Sequence, residues 1–292
     1  MKLLHVEAST YCNARCPLCP RSLYGYKVDG VYPEIHLSLN KFKECLAQFP
    51  DRTNVDFNGN LGDPMMNPDI VNLAIASMCK TSITTNGSIG TKETWQRLAK
   101  ENIVVTFSID GLEDTNHLYR QDVDWNKLMN RVKWFIDAGG YATWKWIPFF
   151  HNKHQEEETK QLSKKLGFKE FKKEDHGRNY GPALDKDGNI THWILPADGS
   201  RQPSTYDVSA GIDRYKKTHE NFFPEEKVYE ISCEHENDNT FFIDASGRIG
   251  PCCYQGFDLP GIPFVKLEDF PKLKQTWATT KCNPICASAC SH

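Results

Sequence analysis

The sequence predicts an α/β fold: a partial (β/α)6 barrel, TIM-like but short of closure, followed by a small cysteine-rich unit with a β-hairpin. Three observations carry this prediction. Short apolar runs alternate with amphipathic stretches six times between residue 3 and about residue 171, and a serial strand–helix repeat favours parallel pairing with right-handed crossovers. Six such units are too few for the usual eight-stranded closure. Nine of the 11 cysteines gather at two places, three between residues 12 and 19 and six between residues 233 and 290, while Cys45 and Cys79 stand alone.

The elements follow in order. Residues 3–8 form the first strand, and Ser38 is placed to N-cap a helix carrying Phe42, Cys45 and Leu46. Strand 54–58 and helix 69–78 come next, then strand 81–85 and helix 92–100. Residues 103–109, β-branched at most positions, make the fourth strand. Helix 124–138 shows Leu128, Val132, Phe135 and Ile136 on one face and stops at Gly139-Gly140. Strand 141–149, weakened at its end by Pro148, helix 154–166 and strand 168–171 complete the series. We therefore expect a barrel over residues 1–175, a polar connecting region wrapped on the surface over 176–228, and the cysteine-rich unit over 229–292. Within the connecting region, Leu184-Asp185-Lys186-Asp187-Gly188-Asn189-Ile190 signals a hairpin. Its Asp-x-Asp-Gly run suggests calcium, but no glutamate closes a 12-residue loop, so a turn is expected.

Composition excludes several classes. With 292 residues, 39% hydrophobic and 25% charged, the chain can bury a sizeable core and is not wholly disordered. Its longest apolar stretches, 103–107 and 146–150, fall far short of the roughly 20 residues that span a bilayer. Glu7 stands where a signal peptide would continue its apolar core, so a cytoplasmic location is expected. A net charge of -3, with Lys and Arg dispersed among Asp and Glu, gives no basic field suited to nucleic acid. An odd, clustered set of thiols in such a chain reads as metal ligands rather than a disulfide framework.

Cys12-Asn13-Ala14-Arg15-Cys16-Pro17-Leu18-Cys19 follows the first strand directly. Thiolates so spaced on one loop can each take one iron of an iron–sulfur cube. No fourth cysteine is close, which leaves one iron open for chemistry, as a catalytic zinc keeps an open position. A zinc knuckle is the alternative. This CxxxCxxC, after the first strand of a β/α series, resembles the signature of the radical S-adenosylmethionine (SAM) superfamily. The resemblance implies a 4Fe-4S cluster on Cys12, Cys16 and Cys19 whose open iron is chelated by SAM. It also implies reductive cleavage of SAM to a 5′-deoxyadenosyl radical, which abstracts hydrogen from a substrate. The residue before the third cysteine is usually aromatic and packs on the adenine; here it is Leu18.

Further motifs resemble the same superfamily. Gly62-Asp63-Pro64 is similar to the Gly-Gly-Glu-Pro motif that holds the SAM ammonium, with Asp63 one methylene shorter; the bland alternative is a turn. Thr85-Asn86-Gly87 and Ser108-Ile109-Asp110-Gly111 end the third and fourth strands and resemble signatures whose neighbours contact ribose or the methionine carboxylate. The resemblance thus makes Gly62, Asp63, Asn86, Ser108, Asp110 and Arg120 candidates for binding SAM. Arg120 suits a carboxylate, and its alternative is a solvated helix residue. In His151-Asn152-Lys153-His154-Gln155, Asn152 or His154 is read as a helix cap, with substrate contact second. Trp144 and Trp146 read as strand packing, with alternate residues of that strand pointing inward; Cys45 and Cys79 read as buried small hydrophobes.

The C-terminal cluster opens Cys233-x13-Gly247-x4-Cys252, with a hairpin across Ala245-Ser246-Gly247, and ends Cys282-x3-Cys286-x3-Cys290. This resembles the SPASM extension or its shorter form, twitch. Six cysteines imply one auxiliary iron–sulfur cluster, of the 4Fe-4S type, on Cys233, Cys252 and two of Cys282, Cys286 and Cys290, rather than two clusters. A four-cysteine zinc site is the alternative. The resemblance implies an enzyme acting on a peptide or protein side chain, with a small molecule such as an aminoglycoside, nucleotide or sugar as the second reading. A flavodoxin or ferredoxin would supply electrons. A non-enzymatic zinc or iron–sulfur protein is the rival from another class.

Overall fold

The computed structural model describes residues 3–174, 180–220, 240–250 and 266–269. Strands β1 (Leu3–Val6), β2 (Asn54–Asn58), β3 (Lys80–Thr85), β4 (Val104–Ser108), β5 (Ala142–Trp146) and β6 (Glu170–Lys173) pair in parallel in chain order. The helices that return the chain between them are α1 (Leu39–Leu46), α2 (Ile70–Ala76), α3 (Lys92–Lys100), a short α4 (Asn116–Tyr119), α5 (Trp125–Asp137) and α6 (Glu156–Leu166). Local signals set their ends. Ser38, Thr91 and Asp124 each accept a backbone N–H from the first turn of α1, α3 and α5, a cap worth about 1 kcal/mol. Gly167, at φ 91°, ends α6 in the left-handed region that glycine adopts without strain.

Strand alternation sorts side chains between two surfaces. Phe107 on β4 packs among Trp95 of α3, Phe135 of α5 and Phe168, at ring separations of 5.3, 6.0 and 5.9 Å. Trp144 and Trp146 are fully buried, while Lys145 between them lines the cavity described below. The inward residue of β5 is therefore the lysine, and the tryptophans pack.

The sheet is wider than the six strands expected. β9 (Thr240–Ile243) lies parallel to β1, with Leu4 opposite Phe241 and Val6 opposite Ile243, and β10 (Ile249–Gly250) folds back antiparallel on β9. The eight strands run β10-β9-β1-β2-β3-β4-β5-β6. The hairpin expected in the C-terminal unit thus extends the barrel sheet, because Phe241 packs on Phe49 at 5.0 Å and the Cys45 thiol donates to the Gly247 carbonyl at 3.3 Å. Cys45 is accordingly both a buried apolar group and a donor.

The connecting region also differs from expectation. Its hairpin is present as β7 (Gly181–Leu184) and β8 (Ile190–Ile194), and the Asp185 carboxylate accepts the N–H groups of Asp187 and Asn189, which makes the run a turn. A further helix, α7 (Val208–Glu220), follows. It is held because Val208, Ile212 and Tyr215 pack against a small core of Leu23, Val28 and Leu184. Among the described residues no helix is long and apolar enough to cross a membrane.

Candidate cofactor and substrate cavity

The loop after β1 carries Cys12, Cys16 and Cys19 to the carboxyl end of the sheet, where all three line one open cavity of about 1380 Å³. Cys16 is buried and the other two are half-buried. Burial raises all three thiols, Cys19 to about 11, and the other cysteines of the trio raise Cys12 and Cys19 further. Three buried thiols are costly as bare thiolates. A cationic metal centre removes that cost, since a coordinating thiol gives up its proton to the metal. Among the described residues no three such side chains are placed to share a single metal ion, so the donor set fits a cluster that gives each thiol its own iron.

Two cross-links hold this loop. The Asn86 amide donates to Cys12 Sγ at 3.7 Å and to Asn13 Oδ1 at 3.3 Å, and its own Oδ1 accepts Ser88 N–H at 2.9 Å. Arg120, just after α4, donates from Nη1 to Cys16 Sγ at 3.5 Å and from Nε to Asp110 Oδ2 at 2.6 Å. Arg120 is therefore no solvated helix residue: its side chain is 14% exposed and Asp110 is fully buried. Burial works against its charge, but Asp110 and Cys16 outweigh it and hold the guanidinium protonated. Asp110 itself spends Oδ2 on Arg120 and Oδ1 on the Ile147 N–H at 2.7 Å. It is not among the residues that line the cavity, and its place is behind Arg120.

Gly62, Asp63, Asn86, Ser108 and Arg120 do line the cavity beside the thiols. Asp63 has few lone pairs to spare. It accepts N–H bonds from Met65 at 3.0 Å and Asn86 at 2.8 Å, and the Thr85 hydroxyl at 2.8 Å, joining the loop after β2 to the end of β3. Burial raises its carboxyl above the ordinary value, and these donors offset part of that rise. Gly62 is required where it stands, because a Cβ there would lie 1.9 Å from the Ser9 carbonyl oxygen.

Glu7, which the sequence marks only as an acid interrupting an apolar start, organises the same loop. Fully buried just past β1, its carboxylate accepts the N–H groups of Asn60, Leu61 and Gly62 at 2.7, 3.2 and 3.0 Å. Burial pushes it up to about 8, opposed by the three amides and assisted by Asp244. The amides of this loop thus turn toward Glu7. Asn152 also departs from expectation. Its side chain caps no helix; it accepts the Phe149 N–H and donates to the Asp110 and Ile147 carbonyls, tying β5's loop to the end of β4. Cys233, Cys252, Cys282, Cys286 and Cys290 lie outside the described residues.

The connecting region supplies another wall of the cavity, through Tyr180, Arg201, Tyr206, Arg214 and Tyr215. Leu18 lines the cavity as well and meets this wall at Gly181, where a Cβ would sit 3.1 Å from the leucine and 2.4 Å from the Tyr24 ring.

This architecture is shared with solved structures. Streptococcus suis SuiB bound to S-adenosylmethionine matches over 99% of this chain and 67% of its own, at a TM-score of 0.62 and 19% identity. Its complex with the precursor peptide SuiA matches over 86% of this chain and 59% of that one, at a TM-score of 0.56 and 19% identity. Native anSMEcpe with bound AdoMet, the same compound, matches over 88% and 75%, at a TM-score of 0.58 and 14% identity. The chain thus has the radical SAM partial-barrel fold that its motifs imply. No protein-family model matches the chain, and no curated protein does.

Proposed function

We propose that this chain is a radical SAM enzyme. The observation that carries the reading is the convergence of Cys12, Cys16 and Cys19 from one loop on a cavity also lined by Gly62, Asp63, Asn86, Ser108 and Arg120. A 4Fe-4S cluster on the three thiolates would supply the electron that cleaves SAM to a 5′-deoxyadenosyl radical. Asn86 and Arg120 would keep the thiolates oriented, as donors to sulfur do at other iron–sulfur sites. Arg120, held charged by Asp110, would also offset the negative charge of a thiolate-bound cluster. The Glu7-bound loop would present Gly62 and Asp63 to SAM.

The substrate reading is a peptide or protein side chain. It is supported by likeness to structures solved with SuiA and with the Cp18Cys peptide. Residues 229–292 would form a twitch-like unit with a second cluster on Cys233, Cys252 and two of Cys282, Cys286 and Cys290, and a flavodoxin or ferredoxin would serve as reductant. Anaerobic reconstitution tests the whole. We expect about eight irons per chain with the second cluster, or about four without it, and 5′-deoxyadenosine on adding SAM and dithionite. Bound zinc with no SAM cleavage would favour the non-enzymatic rival and overturn the reading.

A further inference from the structure

We propose that the cavity wall contributed by residues 196–215 selects a substrate by an anionic group, a carboxylate or phosphate, seated on Arg201 and Arg214. The inference rests on the cavity being the reaction site and deepens that reading by naming the chemistry of what enters it.

The wall is placed firmly against the thiols. Gly211, Arg214 and Tyr215 on α7 stand three and four residues apart, hence on one helix face, and all three line the cavity. The Tyr215 hydroxyl donates to the carbonyl of Pro20, next to Cys19, at 2.8 Å. Arg214 is therefore carried on a face pinned to the cysteine loop. Gly211 leaves room for the Tyr206 ring, whose hydroxyl would lie 2.1 Å from a Cβ at that position. Tyr206 in turn sets its ring edge against Tyr24 at 5.2 Å.

Arg201 is prepared differently. Its guanidinium lies 4.9 Å from the centre of the Tyr180 ring. That ring is anchored by its hydroxyl to the Gln202 carbonyl and Ser204 Oγ, at 3.0 Å each. A stacked guanidinium keeps its fork of N–H donors for a planar anion.

The cavity's two cations outside this wall are already matched. Arg120 is paired with Asp110 at 2.6 Å and Lys145 with Glu174 at 2.5 Å. Of the acids in this stretch, Asp198, Asp207 and Asp213, Asp198 lines the cavity; it accepts the Ser200 N–H at 2.9 Å and is stabilised by Lys153. Arg201, by contrast, meets no carboxylate among the described residues, whereas Arg15 and Arg21 elsewhere on the chain each do. An arginine stacked on tyrosine and facing a cavity, with no acid of its own, is suited to an acid that arrives with the substrate.

The test uses the anaerobically reconstituted chain and three probes: a fluorescein-labelled Ala/Glu hexapeptide, its Ala/Gln counterpart, and the free anions glutarate and inorganic phosphate. Anisotropy and calorimetry should show the Glu peptide binding about tenfold more tightly than the Gln peptide, with the preference fading as salt rises. Arg201→Gln, on an exposed loop, should weaken this binding, and the double variant with Arg214→Gln should abolish the preference. Displacement of the peptide by either free anion supports the proposal and identifies a small acid as sufficient. Preference for the Glu peptide that free anions do not displace supports it with an acidic peptide as the source. Binding of neither peptide nor anion in a manner dependent on Arg201 and Arg214 overturns it. Formation of 5′-deoxyadenosine by the unaltered chain is scored separately; its failure strikes the reaction, not the anion site.

Discussion

On the face of the cavity that carries Cys12, Cys16 and Cys19, polar side chains are buried and answered from within the chain: Glu7 by three amides, Asp63 by Thr85 and Asn86, Arg120 by Asp110. On the wall from the connecting region, Arg201 is exposed and held chiefly by ring stacking, and α7 is fastened by the Tyr215 hydroxyl and a few apolar contacts. Buried networks are intolerant, because removing one partner strands the other away from water. Exposed groups held by stacking can change without such cost. The first face should therefore lose fold and chemistry together when altered, and the second should lose ligand preference with little loss of stability.

The largest effect should come at the thiols. Cys16→Ala should leave the loop unable to hold its cluster, with 5′-deoxyadenosine falling to the level of a no-enzyme control and iron content dropping by about the four atoms of that cluster. Retained SAM cleavage would remove the cluster assignment. Next comes the pH response of Glu7. Its carboxyl sits near 8 in the folded chain, above its ordinary value of 4.5, so the folded state holds this proton more tightly than the unfolded state. Its contribution to stability is full below about pH 4.5 and is lost as pH rises toward 8, by up to roughly 5 kcal/mol. Urea titrations across that window should show the decline in the unaltered chain and a flatter profile in Glu7→Gln.

Asp110→Asn should cost about 3–5 kcal/mol, because it leaves the Arg120 guanidinium buried without its counter-charge. Denaturant midpoints measure this, and a cost below about 1 kcal/mol would mean that the pair behaves as a surface ion pair. The smallest change is expected on the other wall. Tyr215→Phe removes the hydroxyl that meets the Pro20 carbonyl and the Tyr32 side chain and should cost about 1–2 kcal/mol, seen as a small drop in melting temperature. A loss as large as that of Asp110→Asn would erase the contrast between the two faces.

Most of the barrel was legible because its signals are local. The cap at Ser38 and the apolar face of 124–138 depend only on neighbours in sequence. The cysteine loop was legible because its spacing is itself the chemistry. Glu7 escaped because an acid at the end of an apolar strand is explained only by three amides more than fifty residues away. Arg120 supports either of its two readings until Asp110 is placed beside it. The helix α7 did leave a trace, Val208, Ile212 and Tyr215 at four- and three-residue steps, but it stands in a stretch whose polarity reads as loop. β9 gave no sign of its parallel partner, since register between distant strands is set by tertiary packing.

β1 lies between β2 and β9, so the strand that feeds the thiolate loop has an open side until residues 240–243 arrive beside it. During synthesis most of the barrel leaves the ribosome before that side is covered, exposing a row of unpaired amides and carbonyls. Pairing between such remote segments is slow to form. The base beneath the cysteines is therefore among the last parts of the sheet to be enclosed, and a nascent chain halted after α7 would present it bare.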